Sequence, residues 1–306
     1  VNGSDVTGQR GRLQFAFQTL TAAKTAALSG DTIMVLPGTY NEKNLAKNGV
    51  NWHFFSGAKI DYVGLLGVGI FDTNAAGGAC TFTVSGFGIF KVTSEPGPLP
   101  LIKSGYAADN IKVECDRIDA NGSALDAVGT VLLRCNEMKS VSATCIATFT
   151  TANVQVFANK ISSSGGHAIE TSGGTLDVVA RWISSSAGKG IRVNAGILYV
   201  TAHEISSSTD YALEYTNSYS ALCRIQGARL VSTAPSGGGK AVYVSNGTGN
   251  LRLVNCALVG TAPATLSIDA LAATTVLLYG ECVANLAKGA NVTTLGSGLT
   301  VNANLT

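Results

Sequence analysis

Three segments in the middle of the chain share one pattern of apolar and polar positions. Each has eight residues and is followed by three serines, and the segments cover residues 154–161, 176–183 and 198–205. They begin 22 residues apart, and Ile169, Ile191 and Leu213 recur at the same step. Apolar residues alternate with other residues along the first five positions, as in a strand with one buried face. The pattern predicts short strands repeated at a fixed interval.

Weaker copies extend the same eight-residue frame in both directions, with steps of 20 to 29 residues. They begin at His53, Phe82, Ile111, Val131, Cys223, Leu251 and Val276. The fifth position is small in almost every copy, and we expect the chain to bend there. The eighth position is aliphatic or Met and reads Ile60, Ile89, Ile118, Met138, Ile161, Ile183, Ile205, Leu230, Leu258 and Val283.

A repeat of this length, with short strands and no helix-length segment, predicts an all-β fold. Because one coil cannot bury its apolar face alone, successive coils must stack on one another. The irregular step favours a right-handed parallel β-helix (solenoid) of about 10–11 coils. A single amphipathic helix is predicted over 13–28, where it would cover the apolar end of the solenoid. The expected division is 1–30 for the N-terminal segment with its capping helix and 31–306 for the β-helix, the two forming a single domain.

The N-terminal part of the chain carries a family resemblance. The segment Ser29-Gly-Asp-Thr-Ile-Met-Val-Leu-Pro-Gly-Thr-Tyr40, with residues 17–23 before it and 49–60 after it, resembles the opening of pectin-lyase-like right-handed β-helix proteins. This opening is common in bacteriophage tail spikes and fibres and in bacterial surface proteins. The resemblance covers about residues 13–60, and only the periodicity continues beyond it. It implies the fold, whereas the fold itself hosts many activities.

Composition narrows the class of protein further. Only 13% of the residues are charged, 46% are hydrophobic, and the net charge is +2. Disordered chains are poor in apolar residues, and nucleic-acid-binding proteins are strongly basic, so both classes are excluded. No apolar run reaches the ~20 residues that span a bilayer, so we expect no nucleic-acid partner and no membrane-embedded segment.

The seven cysteines indicate neither a disulfide framework nor a zinc site. Their number is odd, their spacing is irregular and no Cys-x-x-Cys pair is present. Cys115 and Cys135 share the small fifth position one coil apart, where thiols would face the interior. Unpaired core thiols indicate folding in a reducing compartment, although adjacent coils could also bring two sulfurs within disulfide range. We expect no metal and no cofactor.

One group of charged residues is a candidate catalytic site. Glu114, Asp116, Arg117 and Glu137 are the densest such group, and the enzymes that the chain resembles use clustered carboxylates on the outer face of their coils. The alternative is a charge ladder, because Arg117, Glu137 and Lys160 occupy the same frame position with alternating sign. The ladder is the preferred interpretation, and no catalytic residue is assigned. His167 and the serine triplets are interpreted as turn residues, since no partner motif accompanies either.

Two further groups are candidate binding residues. Frame positions two and four should face solvent, yet seven of them are apolar: Leu132, Phe157, Val179, Tyr199, Val254, Leu277 and Tyr279. Exposed apolar patches mark partner interfaces, which favours self-association into a trimer or fibre, although loops of the same chain could cover this face instead. Tyr211, Tyr215 and Tyr219 form the only local aromatic cluster and are hypothesised to contact a cell-surface polysaccharide.

These observations favour a non-enzymatic structural or adhesive protein. The preferred hypothesis is a virion component, such as a phage tail fibre, spike or capsid decoration, or a similar extracellular fibre, presenting a surface that binds host glycans. The expected location is the virion or the cell exterior. A polysaccharide lyase or glycoside hydrolase is one alternative, and a secreted bacterial surface adhesin is another.

Overall fold

The chain folds as a parallel β-solenoid of about ten turns in the computed structural model. The structure describes residues 3–12, 16–63, 68–94, 100–216, 222–235, 239–245, 250–261, 266–271, 274–296 and 298–302. Strands of one turn pair in parallel with strands of the next, at the ~4.8 Å spacing of a β-ladder. The all-β class and the parallel β-helix predicted from the repeat are confirmed.

The elements follow one another in this order: α1 (Leu20–Ala26), β1 (Thr32–Val35), β2 (Gly38–Tyr40), β3 (Asn51–Phe54), β4 (Ala58–Val63), β5 (Phe71–Asp72), α2 (Thr73–Ala76), β6 (Thr81–Gly86), β7 (Ile89–Ser94), β8 (Ile102–Ser104), β9 (Asn110–Ala120), β10 (Leu125–Ala127), β11 (Thr130–Ser140), β12 (Ile146–Thr148), β13 (Asn153–Ser163), β14 (Ile169–Ser185), β15 (Ile191–Ser207), β16 (Leu213–Tyr215), β17 (Leu222–Gln226), β18 (Arg229–Ser232), β19 (Val242–Val244), β20 (Asn250–Val254), β21 (Ala257–Val259), β22 (Leu266–Ala270), β23 (Thr274–Tyr279), β24 (Val283–Ala284), β25 (Ala287–Lys288), β26 (Val292–Gly296) and β27 (Thr300–Val301).

Each turn contributes a strand to up to three faces. The first face runs through β1, β3 and β6, continues through β9, β11, β13, β14 and β15, and ends with β17, β20, β23 and β26. The second face runs from β2, β4 and β7 through the same five long strands to β18, β21, β24 and β27. The third face comprises β5, β8, β10 and β12, the first residues of β14 and β15, then β16, β19, β22 and β25.

The register places equivalent residues of the central repeats directly above one another. Ile161 pairs with Ile183, which pairs with Ile205. All three are buried, in one continuous apolar core that fills the solenoid along its length. The vertical column expected from the 22-residue repeat is therefore confirmed.

The eight-residue frame is wrong in three of the outer turns. Val84 pairs with Trp52, so the copy begun at His53 is out of register by three residues. In the next turn Phe90, rather than Ile89, lies between Ile60 and Ile118 in the eighth column. Near the C-terminal end Leu258 pairs with Ala284 rather than Val283. The reason is the same each time, since the bend between the first two faces holds additional residues.

The small fifth position has two structural causes. In the five long central strands the chain continues through the bend, and Ala180 and Ala202 fit against the interior. In outer turns the backbone at this position turns left-handed, as at Gly227 (φ 69°) and Asn255 (φ 51°). Left-handed backbone favours Gly and Asn. Lack of space therefore explains the small fifth residue only in the central copies of the repeat.

Helix α1 is shorter than the helix predicted over 13–28. Among the described residues of that range only 20–26 are helical, and Thr19 caps them by accepting from the amide of Ala22 at 3.1 Å. The Glu42 carboxylate accepts from the amides of Leu20 (2.6 Å) and Thr21 (2.5 Å). Lys47 Nζ donates to the carbonyl of Ala27 at 2.7 Å. Because tertiary contacts satisfy both ends, the helix needs no further turns, and Leu20 anchors it in the core at the N-terminal end.

A column of buried serines connects the bends between the second and third faces. Ser185 Oγ donates to the carbonyl of Gly166 in the preceding turn at 2.6 Å and accepts from the amide of Gly188 in its own turn at 2.9 Å. Ser207 repeats both contacts one turn later. The column comprises Ser140, Ser163, Ser185, Ser207 and Ser232. These serines satisfy backbone groups of the bends, as expected for a structural role.

Truncation of the isoleucine column tests the core. We expect Ile183→Ala to lower the free energy of unfolding by about 2–5 kcal/mol, because it leaves a cavity between two turns. Val179→Ala, on the outer side of the same strand, should lower it by less than about 1 kcal/mol. Denaturant unfolding followed by circular dichroism measures both. Equal losses in the two variants would contradict the assigned faces.

Removal of one serine hydroxyl tests the serine column. Ser185→Ala should lower the free energy of unfolding by about 1–3 kcal/mol, because the Gly166 carbonyl and the buried Gly188 amide lose their partner. Ser184→Ala, the outward neighbour, is the matched control and should be nearly neutral. Chemical denaturation of the two variants side by side makes the comparison, and an unaffected Ser185 variant would exclude the bridging role.

Candidate functional surfaces

The seven apolar residues of the first face do form part of the outer surface. Phe157 pairs with Val179, and Tyr199 lies diagonally beside Val179 in the next turn; we call these three residues the upper patch. Val179 is 42% exposed and Tyr199 36%. Phe157 is half-buried, and the Arg134 guanidinium lies over its ring, 4.8 Å from the centroid.

A second apolar group lies further along the same face. Val254 pairs with Tyr279, and Leu277 lies two residues away from Tyr279 on the same strand; we call these three the lower patch. The column between the two patches is polar and includes Arg224 and Arg252. The apolar surface therefore consists of two separate patches. Leu132 lies apart from both in register, between Lys112 and Gln155.

The candidate catalytic residues lie on two different faces. Glu114 is on the first face, 3.1 Å from Lys112, whereas Glu137 is on the second face beyond the bend. Asp116 lies in the bend itself and is exposed. Glycoside hydrolysis requires two carboxyl groups about 5–9 Å apart that face one bond. The outward directions of Glu114 and Glu137 diverge across the bend.

Arg117, Glu137 and Lys160 form the expected charge ladder on the second face. The Glu137 carboxylate lies 3.7 Å from Arg117 and 3.4 Å from Lys160, in the turns on either side. Glu204 and Arg229 make the same kind of contact at 3.0 Å further along the face. Cross-strand pairs of opposite charge stabilise neighbouring turns by about 0.2–1 kcal/mol each.

The three candidate glycan-binding tyrosines are not one group. Tyr215 is fully buried in the core, which removes its ring from the surface. Tyr219 lies outside the described residues. Tyr211 is half-buried and stacks on Tyr243 of the next turn, with ring centroids 4.6 Å apart. Burial raises the pKa of Tyr211 to about 12.

The third face carries an ionic network that sequence reasoning missed. Arg192 lies between Glu170 at 3.6 Å and Glu214 at 3.3 Å in the adjoining turns. Lys189 Nζ contacts Asp210 at 2.9 Å and Glu214 at 3.4 Å. The available signal was the column directly after Ile169, Ile191 and Leu213, which reads Glu170, Arg192 and Glu214 with alternating sign.

His167 belongs to this face as a turn residue. Its Nδ1 accepts from the amide of Lys189 at 3.0 Å, and burial lowers the pKa of its imidazole. A neutral ring that accepts a backbone hydrogen bond stabilises the turn.

All seven cysteines are free thiols, and six of them are buried. Cys115 pairs in register with Cys135, and a hydrogen bond between the two thiols together with burial raises the pKa of Cys115. Thiols that remain protonated are weak nucleophiles and weak metal ligands.

No described group of three or more His, Cys, Asp or Glu side chains is arranged to hold a metal ion. Neither of the two described helices has the length and apolar character needed to cross a bilayer.

Comparison with known proteins returned no matching family model, no similar curated protein and no similar solved structure.

Asp126 is an acidic residue of the third face with an unusual environment. It lies in β10 between Lys103 and Ala147 of the adjoining turns, and its Oδ1 has no hydrogen-bond partner among the described residues. Burial raises the pKa of its carboxyl to about 6. The folded state therefore binds the Asp126 proton more tightly than the unfolded state does.

The raised pKa of Asp126 predicts that its contribution to the free energy of unfolding decreases as the pH rises. Because the folded pKa exceeds the unfolded one, this residue's contribution is most favourable below pH ~4 and is lost as the pH rises through about 6. Asp126→Asn removes this contribution, so the stability of the variant relative to wild type should rise by about 2–3 kcal/mol between pH 4 and pH 7. Urea unfolding of both proteins across this range makes the test. Parallel pH profiles would show that the carboxyl titrates normally.

Proposed function

We propose that this chain is a non-enzymatic structural or adhesive rod. The observation that carries the proposal is the unbroken stacking of about ten turns around one continuous core. Each turn contacts only its neighbours, so the chain extends along one axis as turns are added. Such an architecture suits a spacer or fibre element. A virion component, such as a tail fibre, spike or capsid decoration, or a similar extracellular fibre, would use the chain in this way.

The arrangement of the acidic residues supports a non-enzymatic role over a lyase or hydrolase. Glu114 and Glu137 lie on different faces, and each lies beside a cation. On the third face Glu170 and Glu214 are likewise held by Arg192. Carboxylates neutralised in this way stabilise the stack, whereas a general acid or nucleophile must point at a substrate.

The free thiols support a virion component over a secreted adhesin. A secreted protein with seven cysteines would fold under oxidising conditions, where neighbouring thiols such as Cys115 and Cys135 tend to form disulfides. A protein assembled in a host cytoplasm keeps them reduced.

The two apolar patches support self-association along the first face. They are about three turns apart, which corresponds to ~14 Å along the axis. Exposed aromatic and aliphatic residues with arginines between them have the composition of a protein interface. Side-by-side contact of two or three solenoids through this face would cover both patches in a trimer or fibre.

Charge placed in both patches tests the assembly. We expect the wild-type protein to form trimers or filaments in electron micrographs and in native mass measurement. The double variant Val179→Lys/Tyr279→Lys should be monomeric, because each lysine would be buried without a partner. Asn159→Lys, exposed in the turn of the upper patch but outside it, is the control and should assemble normally. A wild-type monomer that shortens a polysaccharide would overturn the proposal in favour of an enzyme.

A further inference from the structure

A groove opens on the second face where two neighbouring turns separate. Strand β7 pairs with β4 over most of its length, but its pairing with β9 ends at Lys91 and Asp119. Beyond that point Val92 and Thr93 form one side of the groove, and Ala120 and Asn121 form the other. The groove has a volume of about 580 Å³. This lies within the ~300–1,000 Å³ typical of small-molecule sites.

The groove presents positive charge to solvent. Four of its lining residues are basic and one is acidic: Lys59, Lys91, Arg117, Lys139 and Asp119. The bases are the more exposed partners, since the side chains of Lys91 and Arg117 are 36% and 44% exposed and that of Asp119 only 19%.

The bases outnumber their carboxylate partners. Lys59 and Lys91 share the single carboxylate of Asp61, at 2.5 Å and 3.8 Å. Lys139 has no ion pair among the described residues. Arg117 is held by Asp119 at 2.8 Å and by Glu137 at 3.7 Å. Four cations therefore meet three carboxylates, and the excess positive charge lies at Lys139.

The rest of the lining is suited to a saccharide. Ile89 and Val141 provide apolar contact surface above the buried Val92 and Ala120, and Thr93 and Asn121 provide polar groups at the rim. A sugar ring offers both C–H faces and hydroxyl groups, whereas an inorganic anion would use only the charges. The volume also exceeds the need of a single small anion.

The spacing of Lys91 and Lys139 indicates the length of the ligand. Lys91 and Lys139 lie two turns apart, because Asp119 pairs with both of them. Two turns correspond to ~10 Å along the axis. This is close to the length of a disaccharide.

We propose that this groove binds an anionic saccharide chain that carries one acidic group per disaccharide and lies along the solenoid axis. Lys91 and Lys139 contact successive acidic groups, and on the turn between them Arg117 neutralises Asp119 at 2.8 Å. The inference rests on the proposed adhesive role and names the class of its ligand.

The test compares saccharides that differ in charge. Hyaluronan oligosaccharides carry one carboxylate on every disaccharide, and chondroitin sulfate oligosaccharides carry a sulfate in addition. Chitin oligosaccharides of equal length are neutral. We expect calorimetry at low salt to show binding of at least one acidic probe about tenfold or more tighter than the neutral probe, with the difference shrinking as salt is added. Equal binding of acidic and neutral probes, or binding of neither acidic probe, would overturn the proposal.

Variants locate the site. The double variant Lys91→Gln/Lys139→Gln should weaken binding of the acidic probe about tenfold or more, because it removes two charge-assisted contacts. Lys112→Gln, on the first face of β9 and ion-paired with Glu114, is the matched control and should bind as wild type does. Unchanged affinity in the double variant would place the ligand elsewhere. Equal competition by free sulfate would indicate a simple anion site, and tighter binding of a poly-glutamate peptide would indicate a protein partner; either result contradicts the proposal.

These outcomes are separable from those that test the rod. Binding can fail while the protein still forms trimers or filaments, in which case only the groove proposal is lost. If the protein is a monomer that binds the acidic probe without shortening it, the proposed self-association is contradicted and the proposed ligand site is supported.

Discussion

The structure depends on the requirement that each turn be covered by the next. A single turn has one apolar side and a row of unpaired backbone groups, and neither can be buried within that turn. Stacking solves both problems at once, because the ladder pairs the backbone and the inward residues form the columns represented by Ile161, Ile183 and Ile205. Only inward positions and bends are constrained by this requirement. The outward positions remain free to vary, and any binding function must reside there.

The outer surface shows how that freedom is used. Most charged residues of the second and third faces neutralise one another across neighbouring turns, as Glu137 does with Lys160 and Glu214 with Arg192. Each such exposed pair adds little stability. Their main effect is to keep the stacked surface polar without adding net charge. Two places depart from this neutral background, namely the apolar patches of the first face and the basic groove of the second. Their placement on different faces would allow assembly and ligand binding at the same time.

Sequence reasoning located the fold because the central repeats have equal lengths. Where each turn has the same number of residues, the register follows directly, and the Ile column was correct to the residue. It failed at His53, Ile89 and Val283, because the bends there hold additional residues and an eight-residue frame cannot detect them. The helix was overextended because its ends are satisfied by Glu42 and Lys47, which lie outside the helical segment. The third-face network was missed because Glu170, Arg192 and Glu214 lie outside the eight-residue frame, although they directly follow the recurring Ile169, Ile191 and Leu213. The groove could not be predicted because it depends on where two strands stop pairing.

The most direct test of the account is the measurement of contacts between isoleucine methyl groups. With selective methyl labelling of the protein, nuclear Overhauser effects report which side chains are in contact. The stacked solenoid predicts cross-peaks between Ile161 and Ile183 and between Ile183 and Ile205, with no direct cross-peak between Ile161 and Ile205, which are two turns or ~10 Å apart. If assigned spectra lack the first two cross-peaks, or show Ile161 in contact with Ile205, the stacking of turns and the surfaces derived from it are contradicted.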